Sequence, residues 1–210
     1  ARRVGRNVWG PKVSRRFFGG AHWSQPLRWN KAASDGGVRP RVFCASMADV
    51  FDNRAPAEWR ADLWRLIAAT PNLDWQLLTK RPQNIAKMLP AAWGPRGWPN
   101  VWLGTTAEDQ ERFAQRAAVF LAVPAAVHFL SCEPLLGSLY LRQAPVGSHH
   151  DALGIPQGLE WFDPLHPSAE PFHRVDWVIT GSESGPGARP CDLAWVRALR
   201  DQCASASVPF

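Results

Sequence analysis

Short apolar runs alternate with amphipathic stretches along most of this chain. Runs typical of buried strands occupy residues 41–46, 74–79, 100–105, 125–131 and 175–180. Apolar residues at helical spacing occur in 56–70, 83–89, 108–121 and 192–205. A further run at 208–210 predicts the start of a sixth strand. Strands that alternate with helices predict a parallel sheet with helical crossovers.

The predicted strands are short and similar in length, and no glycine-rich phosphate loop follows the first of them. The fold class that this favours is α/β, as a parallel (β/α) barrel that is partial and similar to a TIM barrel. Thr106 and Asp109 stand at capping-box spacing, which predicts that the helix at 108–121 begins between them.

Two regions break the alternation. Residues 1–40 are rich in Gly and Pro, which predicts mostly loop with one or two short helical pieces. Residues 142–174 contain five Pro, three Gly and four His, and we expect an irregular surface insertion there. The predicted organisation is a basic, aromatic-rich segment at 1–40 that packs on a barrel domain at 41–210. Because the chain opens without Met and closes on a strand-like run, we expect the barrel to be truncated at both ends.

The charge is concentrated at the start of the chain. Residues 1–41 hold ten Lys or Arg and one acidic residue, a net charge of +9, while the remainder carries −3. Aromatic residues lie among these cations. Cations of this kind bind phosphates, and aromatic rings stack on bases. The candidate nucleic-acid contacts are Arg2, Arg3, Arg6, Lys12, Arg15, Arg16 and Arg28. The alternative is that the charges solvate a loop while the aromatic rings cover the end of the barrel.

Polar residues follow every predicted strand. In parallel α/β folds, sites form where the C-terminal ends of the strands meet. The candidate pocket consists of Ser46, Asp49, Thr79, Lys80, Arg81, Thr105, Glu108, Ser131, Glu133, Gly181, Glu183, Ser184, Gly185 and Arg189. Glu133 and Glu183 are the strongest candidates for functional residues, because each directly follows a buried strand, where a carboxylate must be paired or hydrogen-bonded. The alternative is that these residues cap helices or form turns, as Gly185-Pro186-Gly187 does in a plain turn.

The cysteines and histidines show no ligand pattern. Cys44, Cys132, Cys191 and Cys203 include no Cys-x-x-Cys pair and are expected to be free thiols, which suits a reducing cytoplasm. His149, His150, Asp151, His166 and His173 in the insertion match no standard zinc spacing, so we expect no metal site in this chain. No signal peptide or membrane-spanning apolar run is visible.

Five ordered motifs carry a resemblance to a known family. They are Ser-Met-Ala-Asp-Val-Phe at 46–51, Leu-Thr-Lys-Arg-Pro at 78–82, Val-Trp-Leu-Gly at 101–104, Phe-Leu-Ser-Cys-Glu-Pro-Leu-Leu-Gly at 129–137 and Gly-Ser-Glu-Ser-Gly-Pro-Gly-Ala-Arg-Pro at 181–190. With 25–29 and 200–203, they resemble the uncharacterised phage family called gp-thirty-seven/gp-sixty-eight. The resemblance runs from about Trp23 to the end of the chain, apart from the insertion.

That family resembles radical S-adenosylmethionine (SAM) enzymes. The resemblance implies a SAM-binding barrel whose four-iron four-sulfur cluster is held by an N-terminal three-cysteine motif, which this chain lacks. The expected function is therefore that of a phage-associated, radical-SAM-like enzyme whose cluster ligands lie upstream; the alternative is a nucleic-acid-binding phage protein without catalysis. This chain departs from the family pattern at Ala45, where Asn is common, and at Ser182, where Gly is common. Substrate, reaction and oligomeric state are left open.

Overall fold

Five parallel strands form the centre of the molecule. The computed structural model describes residues 13, 15, 17–46, 48–146, 149–150, 156–157, 160–167 and 172–210. In order along the sheet, the strands are β1 (Arg41–Cys44), β2 (Asp74–Thr79), β3 (Val101–Thr106), β4 (Val127–Cys132) and, after an insertion, β9 (Trp177–Thr180). The sheet is curled into a half-barrel, which confirms the α/β class and a partial parallel barrel.

Two helices precede β1, and the other four follow β1, β2, β3 and β9. They are α1 (Gly20–Trp23), α2 (Gln25–Gly36), α3 (Ala57–Ala68), α4 (Ile85–Met88), which a 3-10 turn at Pro82–Asn84 precedes, α5 (Gln110–Leu121) and α6 (Leu193–Ser205). None of the helices in the described part of the chain has the length and apolar character needed to cross a membrane.

The strands of the main sheet and the helices α3 to α6 lie where the sequence pattern predicts them, with differences of one or two residues at some ends. The β2 bounds are those predicted, and the other strand bounds shift by one or two residues. Residues 25–36 form a full helix where we predicted mostly loop, with Pro26 in its first turn and Gly37 ending it at φ 67°. The predicted capping box is wrong: Thr106 ends β3, and Asp109 is itself the N-cap of α5, accepting from Arg112 N at 2.8 Å.

The two faces of the sheet differ. One face packs against the helices, where Leu77, Leu103, Leu130 and Val178 are buried with no exposed surface. The opposite face carries an aromatic cluster in which Trp177 lies 5.9 Å from Trp102 and 5.7 Å from Phe129, measured between ring centroids. The Phe129 ring lies over Gly104, its partner on β3, where a Cβ would overlap it.

The insertion contains regular structure. β5 (Ala144–Val146) pairs antiparallel with β8 (Glu160–Phe162), and β6 (His149–His150) pairs with β7 (Pro156–Gln157). Ala144 and Leu165 are buried against the main core. The irregular surface loop that we predicted is thus, where described, a set of short antiparallel pairs attached to the barrel; Asp151 lies outside the described residues.

Both ends of the described chain contact the sheet or its helices. Phe17 stacks on Trp23 at 4.9 Å and tilts against Trp59 of α3 at 5.0 Å. At the other end, Val178 N donates a hydrogen bond of 3.0 Å to Pro209 O. Residues 208–210 therefore run beside β9 at the position predicted for a sixth strand, although the structure assigns none there.

Candidate functional site

Asp49 joins the first two strand ends. Its carboxylate accepts from Thr79 Oγ1 at 2.8 Å, from Arg81 Nη1 at 2.8 Å and from the backbone N of Phe51 at 2.9 Å. The loop after β1 places Asp49 directly above the end of β2. The carboxylate is thus occupied by hydrogen bonds within the protein and serves to hold the β1 and β2 exits together.

Glu108 lies between two cations above the second and third strands. Its carboxylate accepts from Lys80 Nζ and, at 2.6 Å, from Arg116 Nη1. Arg116 also donates to Thr106 O at 2.9 Å and to Thr106 Oγ1 at 2.7 Å. Burial would raise the pKa of Glu108, but the hydrogen bond from Lys80 and the charge of Arg116 outweigh it and lower that pKa to about 2. Glu108 is therefore a structural anion at neutral pH.

Backbone hydrogen bonds connect the third exit to the fourth. Ala107 N donates to Ser131 O at 3.0 Å, and Leu136 N donates to Glu108 O at 2.8 Å. Thr105 Oγ1 turns back to the carbonyl of Thr79 at 3.0 Å. These bonds hold the ends of β2, β3 and β4 as one continuous rim, so the polar side chains on it occupy defined positions.

Glu133 is placed differently from the other carboxylates of this rim. Its side chain is exposed and lies over Gly181 at the end of β9, where a Cβ would overlap the Glu133 carboxylate. Ser131 Oγ donates to Glu133 Oε2 at 3.4 Å. Among the described residues no other hydrogen bond and no cation contacts this carboxylate, whereas Asp49, Glu108 and Glu183 each have an ion pair.

Glu183 and Arg189 close the loop that follows β9. Glu183 Oε2 accepts from Arg189 N at 2.9 Å and from Arg189 Nε at 3.0 Å, and its Oε1 pairs with Arg189 Nη2. These hydrogen bonds lower the pKa of Glu183 to about 2. The loop between them turns at Gly185 and Gly187, with φ of 98° and 78°, backbone values that favour glycine.

A cavity of about 370 Å³ opens beside this loop. One wall is polar and is formed by Thr180, Gly181, Ser182, Glu183 and Arg189; Cys191 and the apolar side chains of Leu193 and Val196 form the other. Because Gly181 belongs to the cavity wall and Glu133 lies over Gly181, the Glu133 carboxylate stands at its margin. The cavity can hold a ligand with one charged and one apolar part.

The structure brings most of the predicted pocket residues onto one rim. Hydrogen bonds and ion pairs at the exits of β1, β2 and β3 involve Asp49, Thr79, Lys80, Arg81, Thr105 and Glu108. The exits of β4 and β9 add Ser131, Glu133, Gly181, Glu183 and Arg189. Ser46, Ser184 and Gly185 are exposed in loops, and no side-chain hydrogen bond of the two serines lies within the described structure. Sequence reasoning missed Arg116, because its position inside α5 carries no signal that distinguishes it from a solvated arginine.

The candidate nucleic-acid contacts divide into two groups. Arg15 forms an ion pair with Asp52 at 2.6 Å, and Arg28 is exposed on α2. The other five, Arg2, Arg3, Arg6, Lys12 and Arg16, lie outside the described residues.

The described residues do not fit an iron–sulfur cluster. Cluster ligation requires thiolates, but burial raises the pKa of Cys203 to about 11, that of Cys44 to about 12 and that of Cys132 further. The four cysteines are free thiols. Within the same part of the chain, no three His, Cys, Asp or Glu side chains are grouped as metal ligands would be.

Comparison with known proteins gives one match. The sequence profile of the family described as "Protein of unknown function (DUF5131)" matches residues 2–210. No curated protein matches the chain, and no solved structure matches it.

Proposed function

This chain belongs to the DUF5131 family, whose function is unknown, and we propose its activity from the site. In this proposal it binds SAM and a substrate as the half-barrel of a phage-associated, radical-SAM-like enzyme. The proposal combines the partial parallel barrel with the resemblance of its strand-exit motifs to the gp-thirty-seven/gp-sixty-eight family. SAM-binding residues of this kind belong at the C-terminal ends of parallel strands. The rim from Asp49 to Arg189 is an edge of the described sheet where such polar groups converge.

The exposed carboxylate of Glu133 carries the proposal. It has no cation beside it in the described structure, while three neighbouring carboxylates of the same rim are paired. A carboxylate without a cation is suited to receive one from a ligand, through a charge-assisted hydrogen bond. SAM offers two cationic groups, an ammonium and a sulfonium.

The adjoining cavity suits the rest of that ligand. Arg189 has five donors, of which Glu183 uses two side-chain ones, so its guanidinium retains capacity for the SAM carboxylate. Leu193 and Val196 provide an apolar wall for the adenosyl group. Gly181 leaves room for Glu133 and the ligand to approach the backbone.

The described residues account for binding and positioning, and no redox step is assigned to them. A four-iron cluster, when bound, supplies the electron that cleaves SAM, but none of the four cysteines is placed to hold one. In this proposal, the strand exits bind and orient SAM and substrate. Cluster ligation would fall to residues other than those described.

Calorimetric titration of SAM into the 210-residue chain tests the binding proposal. We expect Glu133→Gln to weaken SAM binding by about tenfold or more, because it removes the charge and keeps the shape. Gly181→Ala is expected to weaken binding similarly, because its Cβ displaces the Glu133 carboxylate. The matched control is Glu58→Gln, at an exposed carboxylate in the first turn of α3.

Equal affinity of the wild type and the Glu133→Gln chain for SAM would contradict this assignment. A separate measurement addresses the chemistry: the protein of the parent gene is purified without oxygen, reconstituted with iron and sulfide, and examined by EPR and for SAM cleavage. A stoichiometric cluster with reductive SAM cleavage supports the enzyme. No cluster would overturn it and leave nucleic-acid binding without catalysis as the alternative.

A further inference from the structure

A groove of about 630 Å³ lies between α2 and β1, and none of its lining residues belongs to the rim. Its volume is in the range of ligand sites, about 300–1,000 Å³. From α2 it is lined by Trp29, Ala32, Ala33 and Gly36, a spacing that places all four on one helix face. Residues 38 and 40–43 form the other wall. The small side chains in the middle of the helix face leave the space that forms the groove.

Three exposed large hydrophobic side chains line this groove: Trp29, Val38 and Phe43. Of the ten large hydrophobic side chains exposed in the described structure, six lie between residues 17 and 43: Phe17, Phe18, Leu27, Trp29, Val38 and Phe43. Trp29 and Phe43 line the groove and are 45% and 47% exposed. Such a concentration marks an interaction surface, because isolated exposed apolar residues are scattered in ordinary proteins.

The same surface is basic. Arg28 and Arg41 have no ion pair within the described residues, and Arg41 lines the groove, with its guanidinium 4.9 Å from the Trp102 ring centroid. None of the described lining residues is acidic. Between residues 17 and 43, which the structure describes, the cations Arg28, Lys31, Arg39 and Arg41 outnumber the one acidic residue, Asp35, so this part of the surface favours an anionic partner.

We propose that this groove binds single-stranded nucleic acid. Unpaired bases stack on Trp29 and Phe43, and the phosphates pair with Arg28 and Arg41. A single strand fits because its bases are free to stack on aromatic rings, whereas those of a duplex are not. An extended apolar peptide could pair with the free edge of β1, but it would make no use of the uncompensated cations. The inference does not rest on SAM binding at the rim.

The test measures fluorescence anisotropy of a labelled twenty-nucleotide single strand titrated with the full 210-residue chain, between about 50 and 200 mM salt. Trp29→Ala and Phe43→Ala are each expected to weaken binding about tenfold. Arg41→Gln should reduce the slope of log affinity against log salt by about one. Both aromatic side chains are exposed, so their truncation is expected to leave the thermal unfolding midpoint unchanged.

Matched controls lie elsewhere on the surface. Trp161→Ala, at an indole 53% exposed on β8, and Arg197→Gln, at an exposed arginine of α6, should bind the strand as the wild type does. The groove would be excluded as the site if Trp29→Ala and Phe43→Ala left binding of the strand unchanged while neutralising Arg2, Arg3 and Arg6 abolished it. So would preferential binding of a labelled apolar peptide, or no binding of the strand at low salt.

Discussion

Two cations contact the Glu108 carboxylate, and they differ in burial. The Arg116 side chain is 15% exposed and also holds Thr106, while the Lys80 side chain is 54% exposed. An exposed ion pair contributes little because water screens it. Loss of a buried partner leaves a charge and hydrogen-bond acceptors unsatisfied.

We therefore expect unequal effects from the two deletions. Arg116→Met should lower the free energy of unfolding by about 2 kcal/mol or more, because Glu108 and Thr106 both lose a donor. Lys80→Met should cost less than about 1 kcal/mol. Urea denaturation at pH 7 measures both, and equal losses would show that burial does not decide the contribution here.

The same residue-scale view explains why the carboxylates of the rim have different roles. Asp49, Glu108 and Glu183 are satisfied by cations of the protein, so they order the loops. Glu133 has no cation beside it among the described residues, and in our proposal a ligand supplies one. From the sequence, Glu133 and Glu183 looked alike, since each follows a buried strand; only Arg189, six residues after Glu183, separates them in the fold.

At the scale of elements, the contact between β3 and β4 depends on one small residue. Gly104 and Phe129 are register partners, and the Phe129 ring covers the Gly104 backbone. Phe129 is fully buried there, so it cannot move aside without disturbing Trp177, 5.7 Å away.

We expect Gly104→Ala to destabilise the protein by about 3 kcal/mol, because the new methyl group overlaps the Phe129 ring. Phe129→Leu combined with Gly104→Ala should recover part of this loss, giving a coupling energy in a double-mutant cycle. Gly137→Ala is the control, since its Cβ would meet Asp109 Cβ at an ordinary 3.7 Å. Additive losses for Gly104 and Phe129 would contradict direct packing between them.

The elements also show where sequence patterns succeed. β2 and α6 are recovered almost residue by residue because hydrophobic periodicity is local and both are bounded by clear polar residues. α2 was largely missed, although Pro26 and Gly37 marked its ends, because Pro26 and Ala33 are its only buried residues and form too small a hydrophobic stripe to detect. The pairs β5–β8 and β6–β7 were missed since their strands have two or three residues each.

At the scale of the whole molecule, acid sensitivity follows from groups on opposite ends of the strands. His128 is the second residue of β4 and is buried, with its Nε2 2.7 Å from Val123 O; burial lowers its pKa from 6.5 to about 4. The unfolded chain therefore takes up a proton at His128 before the folded chain does. The contribution of neutral His128 to the free energy of unfolding is therefore fully present above pH 6.5 and is lost as the pH falls from 6.5 to 4.

His128→Gln should reduce the pH dependence of stability in that window by up to about 1.4 kcal/mol per pH unit, while its amide still donates to Val123 O. Glu108 adds a lower window: its folded pKa of about 2 lies below 4.5, so its contribution is lost between pH 4.5 and 2. Unfolding free energies from pH 8 to 4 provide the measurement. A His128→Gln profile parallel to that of the wild type would show that another group controls the acid response.

The sequence by itself determined the order of the five parallel strands and of the helices α3 to α6, the partial parallel barrel and the set of residues at the strand exits. These follow from periodicity and from the rule that parallel strands end at one edge, which are properties of neighbouring residues. Only the tertiary structure decided which carboxylates are paired, through Arg116 reaching Glu108 from α5 and Arg189 reaching Glu183 across a turn. It also decided that α2 and β1 enclose a groove, since that depends on how two elements pack rather than on either alone.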